Sequence, residues 1–180
     1  MASPPERTLD QPLHLIRLHH PRFAPLDGTG AQLHGGRWNS PGAAVVYAAL
    51  TYGGAILETR VHANTRTPPP REIAVITVPA GVRIAELSAD DVKGWDDPGQ
   101  LPSRTAGNAW IAAARTVALI VPSKAGAPLE RIAAINLAHP DAGRLTLESL
   151  GPVPWDLRLF APAAPPAPRA RRRQPARKKK

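Results

Sequence analysis

The chain has 180 residues, enough for one hydrophobic core, and its net charge of +9 is concentrated at one end. Eight of the 23 lysines and arginines lie between residues 169 and 180, which leaves 15 basic residues against all 14 acidic residues elsewhere. The lack of cysteine excludes a disulfide framework, a thiolate nucleophile and a cysteine-containing zinc site.

The two ends of the chain differ in composition from the body between them. The first twelve residues are polar and contain proline, so we expect a flexible N-terminus at 1–12 without the layout of a signal peptide. The last twenty residues, 161–180, are rich in Pro, Ala, Arg and Lys and are predicted to be disordered. No apolar run reaches the ~20 residues that span a bilayer, so we expect a cytoplasmic protein without a membrane partner.

The folded body is expected at 13–160 and begins with a partly alternating segment. Residues 13–18 alternate between polar and apolar side chains as a half-buried strand does. Arg17 lies in this strand, where the residues alone favour a solvated face or a salt bridge. The turn-rich connection at 19–30 contains paired histidines, but neighbouring strand positions point to opposite faces, so no metal site is predicted there.

Most of the candidate chemistry lies in the sequence from 35 to 58, GGRWNSPGAAVVYAALTYGGAILE. At Gly36 the backbone can approach a ligand closely, and the forked guanidinium of Arg37 can grip a diphosphate. Residues 43–49 are predicted to form a buried strand carrying Tyr47, whose ring can stack on a flat ligand. The apolar spacing after residue 54 predicts a helix with Glu58 in its first turns.

Each of these side chains also has an ordinary structural explanation. Arg37 can form a structural salt bridge, and Tyr47 can be a core tyrosine with a satisfied hydroxyl. Glu58 can be an exposed helix glutamate paired with Arg60 or His62. The residues alone leave these alternatives open.

The second half of the chain is predicted to contain short strands and few helices. Core strands are expected at 72–79 and 82–87, a solvated acidic turn at 88–97 and an alanine-rich helix at 105–115. Residues 117–121 predict a strand that leaves Ser123 at its end, whereas 129–138 stays open between helix and strand. Closing strands are expected at 145–150 and 156–160. This mixture without strict alternation predicts an α+β fold.

These segments resemble the RES-domain family, toxins of bacterial type II toxin–antitoxin pairs with a fold similar to ADP-ribosyltransferases. The resemblance rests on GGRWNSPG, VVYAA and AILE, followed by GNAW, VPS, Asn136 with His139-Pro140, and WDLRL. The segments occur in family order from about residue 15 to residue 160. The resemblance implies an α+β fold with ADP-ribosyltransferase-like mixed sheets and a few flanking short helices.

The resemblance also implies that NAD is the substrate, that no metal takes part, and that particular residues form the site. The implied catalytic residues are Glu58, Arg37, Tyr47 and Ser123. The implied NAD-binding residues are Arg17, Gly36, Arg37, Tyr47 and Asn136. In the family the last region usually has the pattern Asn-Pro-x-His, and Leu137 replaces that proline in this chain.

The implied activity is cleavage of the nicotinamide–ribose bond of NAD, with water or inorganic phosphate as the acceptor, so that NAD is depleted and growth stops. ADP-ribosyl transfer to a host protein is the alternative in the same class. A cognate Xre-like antitoxin is the implied partner. A hypothesis from another class is a non-enzymatic nucleic-acid-binding module that uses the basic tail, since such a tail binds polyanions weakly and in a salt-dependent way.

Overall fold

The computed structural model describes residues 3–63 and 67–160, which form one large mixed sheet with flanking helices. The strands are β1 Glu6–Thr8, β2 Leu13–His19, β3 Val45–Ala49, β4 Glu72–Val78, β5 Arg83–Glu86, β6 Ala118–Pro122, β7 Arg131–Asn136 and β8 Thr146–Pro152. The α-helices are α1 Thr29–His34, α2 Tyr52–Ala63 and α3 Leu101–Ala113, and 3₁₀ helices lie at Pro140–Arg144 and Leu157–Phe160. The predicted α+β class is confirmed.

The sheet is nearly divided in two between β3 and β2. The strand order is β1-β5-β6-β7-β3-β2-β4-β8, and β5 and β6 are parallel whereas the other neighbours are antiparallel. Seven residue pairs join β2 to β4 and five join β3 to β7. Within the described residues a single pair, Ile16 with Ala49, joins β2 to β3. Five strands therefore lie on one side of this junction and three on the other.

The faces of the sheet carry two apolar cores. One core contains Leu15, Val46 and Ile76 together with residues of the central strands. The other core is covered by α3 and contains three tryptophans, Trp38, Trp95 and Trp110. All five residues of β6 are buried, because this strand is apolar throughout and lies between the two cores.

Most of the predicted elements are confirmed within a few residues. The structure has strands at each of 13–18, 43–49, 72–79, 82–87, 117–121 and 145–150, and helices at 52–63 and 101–113. The acidic segment at 88–97 forms turns. The ambiguous segment at 129–138 contains β7.

Two expectations are wrong, and one helix was missed. The segment expected to be flexible at 1–12 contains β1, which pairs with β5 through its backbone and so needs no apolar pattern of its own. The strand expected at 156–160 is instead a 3₁₀ helix, Leu157–Phe160, in which Phe160 packs edge-on against Trp155. The turn-rich connection at 19–30 leads into α1, whose six residues have no buried side chain to produce a pattern.

The predicted tail at 161–180 lies outside the described residues, and so does the part of the chain on which the nucleic-acid-binding hypothesis rests. In the part of the chain that the structure describes, no helix is both long and apolar enough to cross a membrane.

Candidate active site

Two of the predicted site residues, Glu58 and Ser123, are in direct contact. Glu58 lies in the middle of α2, and Ser123 directly follows β6. The Ser123 hydroxyl donates to Glu58 Oε1 at 2.6 Å and accepts from the Gly126 backbone N–H at 3.0 Å. Ser123 is fully buried, whereas 23% of the Glu58 side chain is exposed. The carboxylate is thus held in one orientation at an accessible position.

The helix partners considered for Glu58 behave differently from each other. His62 lies one turn further along α2, with Nδ1 3.7 Å from Glu58 Oε2. Arg60 does not pair with Glu58, because its Nε donates to the Leu159 carbonyl at 2.8 Å and its guanidinium lies over the Phe160 ring. The contact with His62 leaves the bond between Glu58 and Ser123 intact.

Arg37 contacts neutral groups of the backbone. Its Nη1 donates to the backbone carbonyls of Trp95 at 3.1 Å and Asp97 at 3.3 Å. Within the described residues no acidic side chain forms an ion pair with Arg37, so the structural salt bridge considered above is not found there. The charge of the half-buried guanidinium is therefore available to an anionic ligand.

The segment from Trp95 to Asp97 connects Arg37 with the pair formed by Glu58 and Ser123. The Lys124 ammonium, on the residue after Ser123, donates to the Asp96 carbonyl. Arg37 and Lys124 therefore bind adjacent carbonyls of the same short segment. This arrangement places Arg37, which is predicted to bind the diphosphate, and Glu58, the predicted catalytic carboxylate, in the same part of the molecule.

Tyr47 is half-buried, and its hydroxyl is hydrogen-bonded to the loop that precedes β3. Its hydroxyl accepts from the Trp38 backbone N–H at 3.2 Å and donates to Asn39 Oδ1 at 2.7 Å. Burial raises the pKa of the Tyr47 phenol well above its usual range. A Cβ atom at Gly36 would lie 2.7 Å from the Tyr47 hydroxyl, so Gly36 is required for this packing. The structure thus gives Tyr47 a structural role, and stacking on the substrate stays a prediction.

The same loop is fastened to α3 by side chains to which the sequence assigned no role. Arg104 Nε donates to the Gly36 carbonyl at 3.0 Å. The Asn108 side chain accepts from the Ser40 backbone N–H at 2.9 Å and donates to the Ser40 hydroxyl at 2.8 Å. Asn108 belongs to the GNAW motif and Ser40 to GGRWNSPG. The two motifs are therefore in contact with each other, although the sequence of neither motif shows which segment it contacts.

Arg17 is not brought into contact with this group of residues in the described parts of the chain. Its Nη2 donates to the Asp27 carbonyl at 3.0 Å, and it lies on the face of β2 that carries Leu15. Burial lowers the pKa of the Arg17 guanidinium to about 10, against the opposing charge of Asp27. Its proposed contact with NAD stays a prediction.

Asn136 lies at the opposite end of the sheet from Ser123. The pairs Pro122–Arg131 and Ala118–Ile135 place the end of β7 beside the start of β6, roughly 16 Å from Ser123 at ~3.3 Å per residue. The Asn136 side chain accepts from the Ala138 backbone N–H at 3.0 Å and so closes a turn. Its contact with NAD, like that of Arg17, stays a prediction.

The site offers a negative charge in a fixed orientation at Glu58 and a positive charge at Arg37. Among the described residues no group of three or more His, Cys, Asp or Glu side chains is placed to hold a metal ion. A fixed carboxylate suits a developing positive charge, and a guanidinium bound to neutral carbonyls suits a diphosphate.

One mixed sheet with a few short flanking helices defines this chain as a protein of the α+β class. The chain belongs to the RES-domain family, whose model matches residues 13–156. The resemblance stated from the sequence is thereby confirmed.

The chain is similar to curated toxins over most of its length. It is 38% identical over 144 residues to the Prs ADP-ribosylating toxin of Sphingobium sp. (strain YBL2), covering 77% of this chain and 88% of that protein. It is 35% identical over 143 residues to the Toxin Res of Pseudomonas putida, covering 77% of this chain and 94% of that protein. The crystal structure of the M. tuberculosis MbcT-MbcA toxin-antitoxin complex contains a similar fold, with a TM-score of 0.66 at 18% identity over 85% of this chain and 89% of that one.

Proposed function

We propose that this chain is the toxin of a toxin–antitoxin pair and that it cleaves the nicotinamide–ribose bond of NAD in the cytoplasm. The observation that carries the proposal is the 2.6 Å hydrogen bond from Ser123 to Glu58, which holds an accessible carboxylate in one orientation. The toxin names of relatives at 38% and 35% identity support it.

The chemistry of NAD needs little more than a fixed negative charge. The nicotinamide ring nitrogen is cationic, so nicotinamide leaves readily with the electron pair of the broken bond. The ribose carbon then becomes oxocarbenium-like, and a carboxylate beside it lowers the energy of that transition state. In the proposal Glu58 supplies this charge, Ser123 fixes the orientation, and Arg37 holds the diphosphate because no described carboxylate neutralises it.

The acceptor is water or inorganic phosphate in this proposal, and ADP-ribosyl transfer to a protein is the second candidate. The second candidate is favoured by the relative named Prs ADP-ribosylating toxin, which is 38% identical to this chain over 144 residues. All three reactions break the same bond. Mass spectrometry of the products separates them, since ADP-ribose, its phosphorylated form and a modified protein each identify a different acceptor.

We also propose that an Xre-like antitoxin neutralises the protein by covering this site. Three apolar side chains on the helix that carries Glu58 are exposed, namely Tyr52, Leu57 and Val61. An exposed apolar group beside polar site residues is typical of a protein interface. The similar fold in a toxin-antitoxin complex supports a partner of this kind.

The test is release of nicotinamide from NAD by the purified chain. Glu58→Gln keeps the shape of the side chain without its charge and is expected to lower turnover by about 10²-fold or more. Glu148→Gln is the matched control, because Glu148 is an exposed acid on β8 without an ion pair in the described residues. Full turnover in folded Glu58→Gln would contradict the proposal, and so would an inactive wild-type protein.

A further inference from the structure

A second carboxylate lies at the start of the helix that carries Glu58. Glu130, just before β7, accepts a hydrogen bond from the Thr51 hydroxyl at 2.7 Å through Oε2. The same oxygen lies 2.6 Å from the position that a Cβ atom of Gly54 would occupy. The Glu130 carboxylate therefore takes the place of the side chain that Gly54 lacks.

This position is one helical turn from Glu58. Gly54 and Glu58 are four residues apart in α2, so their side-chain positions are neighbours on one helix face, about 5–6 Å apart at Cβ. The Ser123 backbone N–H also donates to the Glu130 carbonyl at 3.0 Å. The residue that orients Glu58 thus also anchors Glu130, and the two carboxylates face the same region.

Glu130 differs from the other half-buried glutamates in having no cationic partner in the described residues. The others, each paired with an arginine or histidine, are Glu6, Glu58, Glu72 and Glu86. Within the same part of the chain Oε1 of Glu130 has no hydrogen-bond donor. This oxygen is free to accept a proton.

Stabilising the start of α2 does not by itself explain why the Glu130 carboxylate lies beside Gly54. The Thr51 hydroxyl already accepts from the Gly54 backbone N–H at 2.9 Å and so caps α2 by itself. A glycine inside a helix weakens it relative to alanine. Gly54 nevertheless lies inside α2, at a position where any side chain would displace the Glu130 carboxylate.

We propose that Glu130 is a second catalytic residue, the general base for a neutral, protic nucleophile, an inference that rests on the proposed cleavage of NAD. The nucleophile's oxygen forms a bond to the ribose carbon as the bond from that carbon to nicotinamide breaks. The electron pair of the broken bond goes to the nicotinamide nitrogen, which becomes neutral. The nucleophile's proton goes to Glu130 Oε1 and then to solvent, so that water yields ADP-ribose.

This role favours water or a hydroxyl group over inorganic phosphate as the acceptor. A phosphate dianion needs no base, and it is repelled by two carboxylates at the same site. In phosphate buffer the wild-type protein is therefore expected to form mainly ADP-ribose, and Glu130→Gln to form a larger share of the phosphorylated product.

The deciding experiment compares nicotinamide release by the wild-type chain, Glu130→Gln, Glu58→Gln and the Glu148→Gln control, with and without sodium azide. Azide is a nucleophile with no proton to lose. Glu130→Gln is expected to lower kcat by about 10²-fold or more with KM little changed, because general bases contribute on that scale. Azide should restore nicotinamide release in Glu130→Gln and form ADP-ribosyl azide, and it should not restore Glu58→Gln.

Thr51→Val separates proton transfer from positioning, because it removes the hydrogen bond to Glu130 together with the Thr51 cap of α2 and keeps the carboxylate. It is expected to lose less than tenfold in kcat and to be insensitive to azide. Wild-type turnover in Glu130→Gln, or a loss that azide does not restore, overturns the assignment of Glu130 alone. A loss in Thr51→Val as large as that in Glu130→Gln overturns it as well. A wild-type protein that releases no nicotinamide overturns the proposed function itself.

Discussion

Gly107→Ala tests the contact that fastens the loop of the candidate site to α3. Gly107 lies inside α3, and a Cβ atom there would be 1.7 Å from the Trp38 carbonyl oxygen and 2.6 Å from its carbonyl carbon. Non-bonded carbon and oxygen atoms need about twice the shorter distance. The helix and the loop must therefore separate to admit one methyl group.

The loop has little freedom to move. Trp38 is fully buried, and its backbone N–H is bonded to the Tyr47 hydroxyl. Asn108 holds Ser40 two residues later. Overpacking at such a site costs about 3 kcal/mol, the upper end of the usual range. The higher helix propensity of alanine offsets about 1 kcal/mol of this cost. We therefore expect a net loss of about 2 kcal/mol in the free energy of unfolding.

Urea unfolding measures this loss, and thermal unfolding should show a melting temperature lower by about 4–8 °C for a chain of this size. Gly30→Ala is the matched control, because Gly30 lies inside α1 with no atom within 4 Å of its Cβ position. It is expected to be neutral or to stabilise by up to about 1 kcal/mol. Wild-type stability in Gly107→Ala would refute the close approach of α3 to the loop.

Two further stability measurements address the tyrosine and a charged group. Tyr47→Phe leaves the Trp38 backbone N–H and the Asn39 side chain without their shared partner, so urea unfolding should show a loss of about 1–3 kcal/mol. For Glu86, burial raises the carboxyl pKa but hydrogen bonds from two arginines outweigh it, and the net pKa is lowered. Its contribution to stability is therefore complete above the ordinary glutamate pKa of about 4.3 and is lost as pH falls through the lower folded-state value. Glu86→Gln should show a flatter pH dependence of unfolding in that acidic window, and an unchanged slope would contradict the assignment.

Local patterns predicted most of the helices and strands, because buried positions are apolar and recur with the period of the element. The apolar run at 117–121 predicted β6, and the β-branched run at 72–79 predicted β4. Elements without an apolar pattern were missed or wrongly assigned. β1 is formed by backbone pairing at an edge, and α1 has no buried residue.

The sequence by itself determined which chemical groups are available, and through family motifs it predicted that Glu58 and Ser123 share one site. Only the tertiary structure showed that they touch across 65 positions in the chain, and that Arg37 meets the carbonyls of Trp95 and Asp97. It alone placed Asn136 at the far end of β7 and the Glu130 carboxylate in the space left by Gly54. The physical reason is that periodicity reports the environment of one segment, whereas strand register and helix packing decide which distant segments meet.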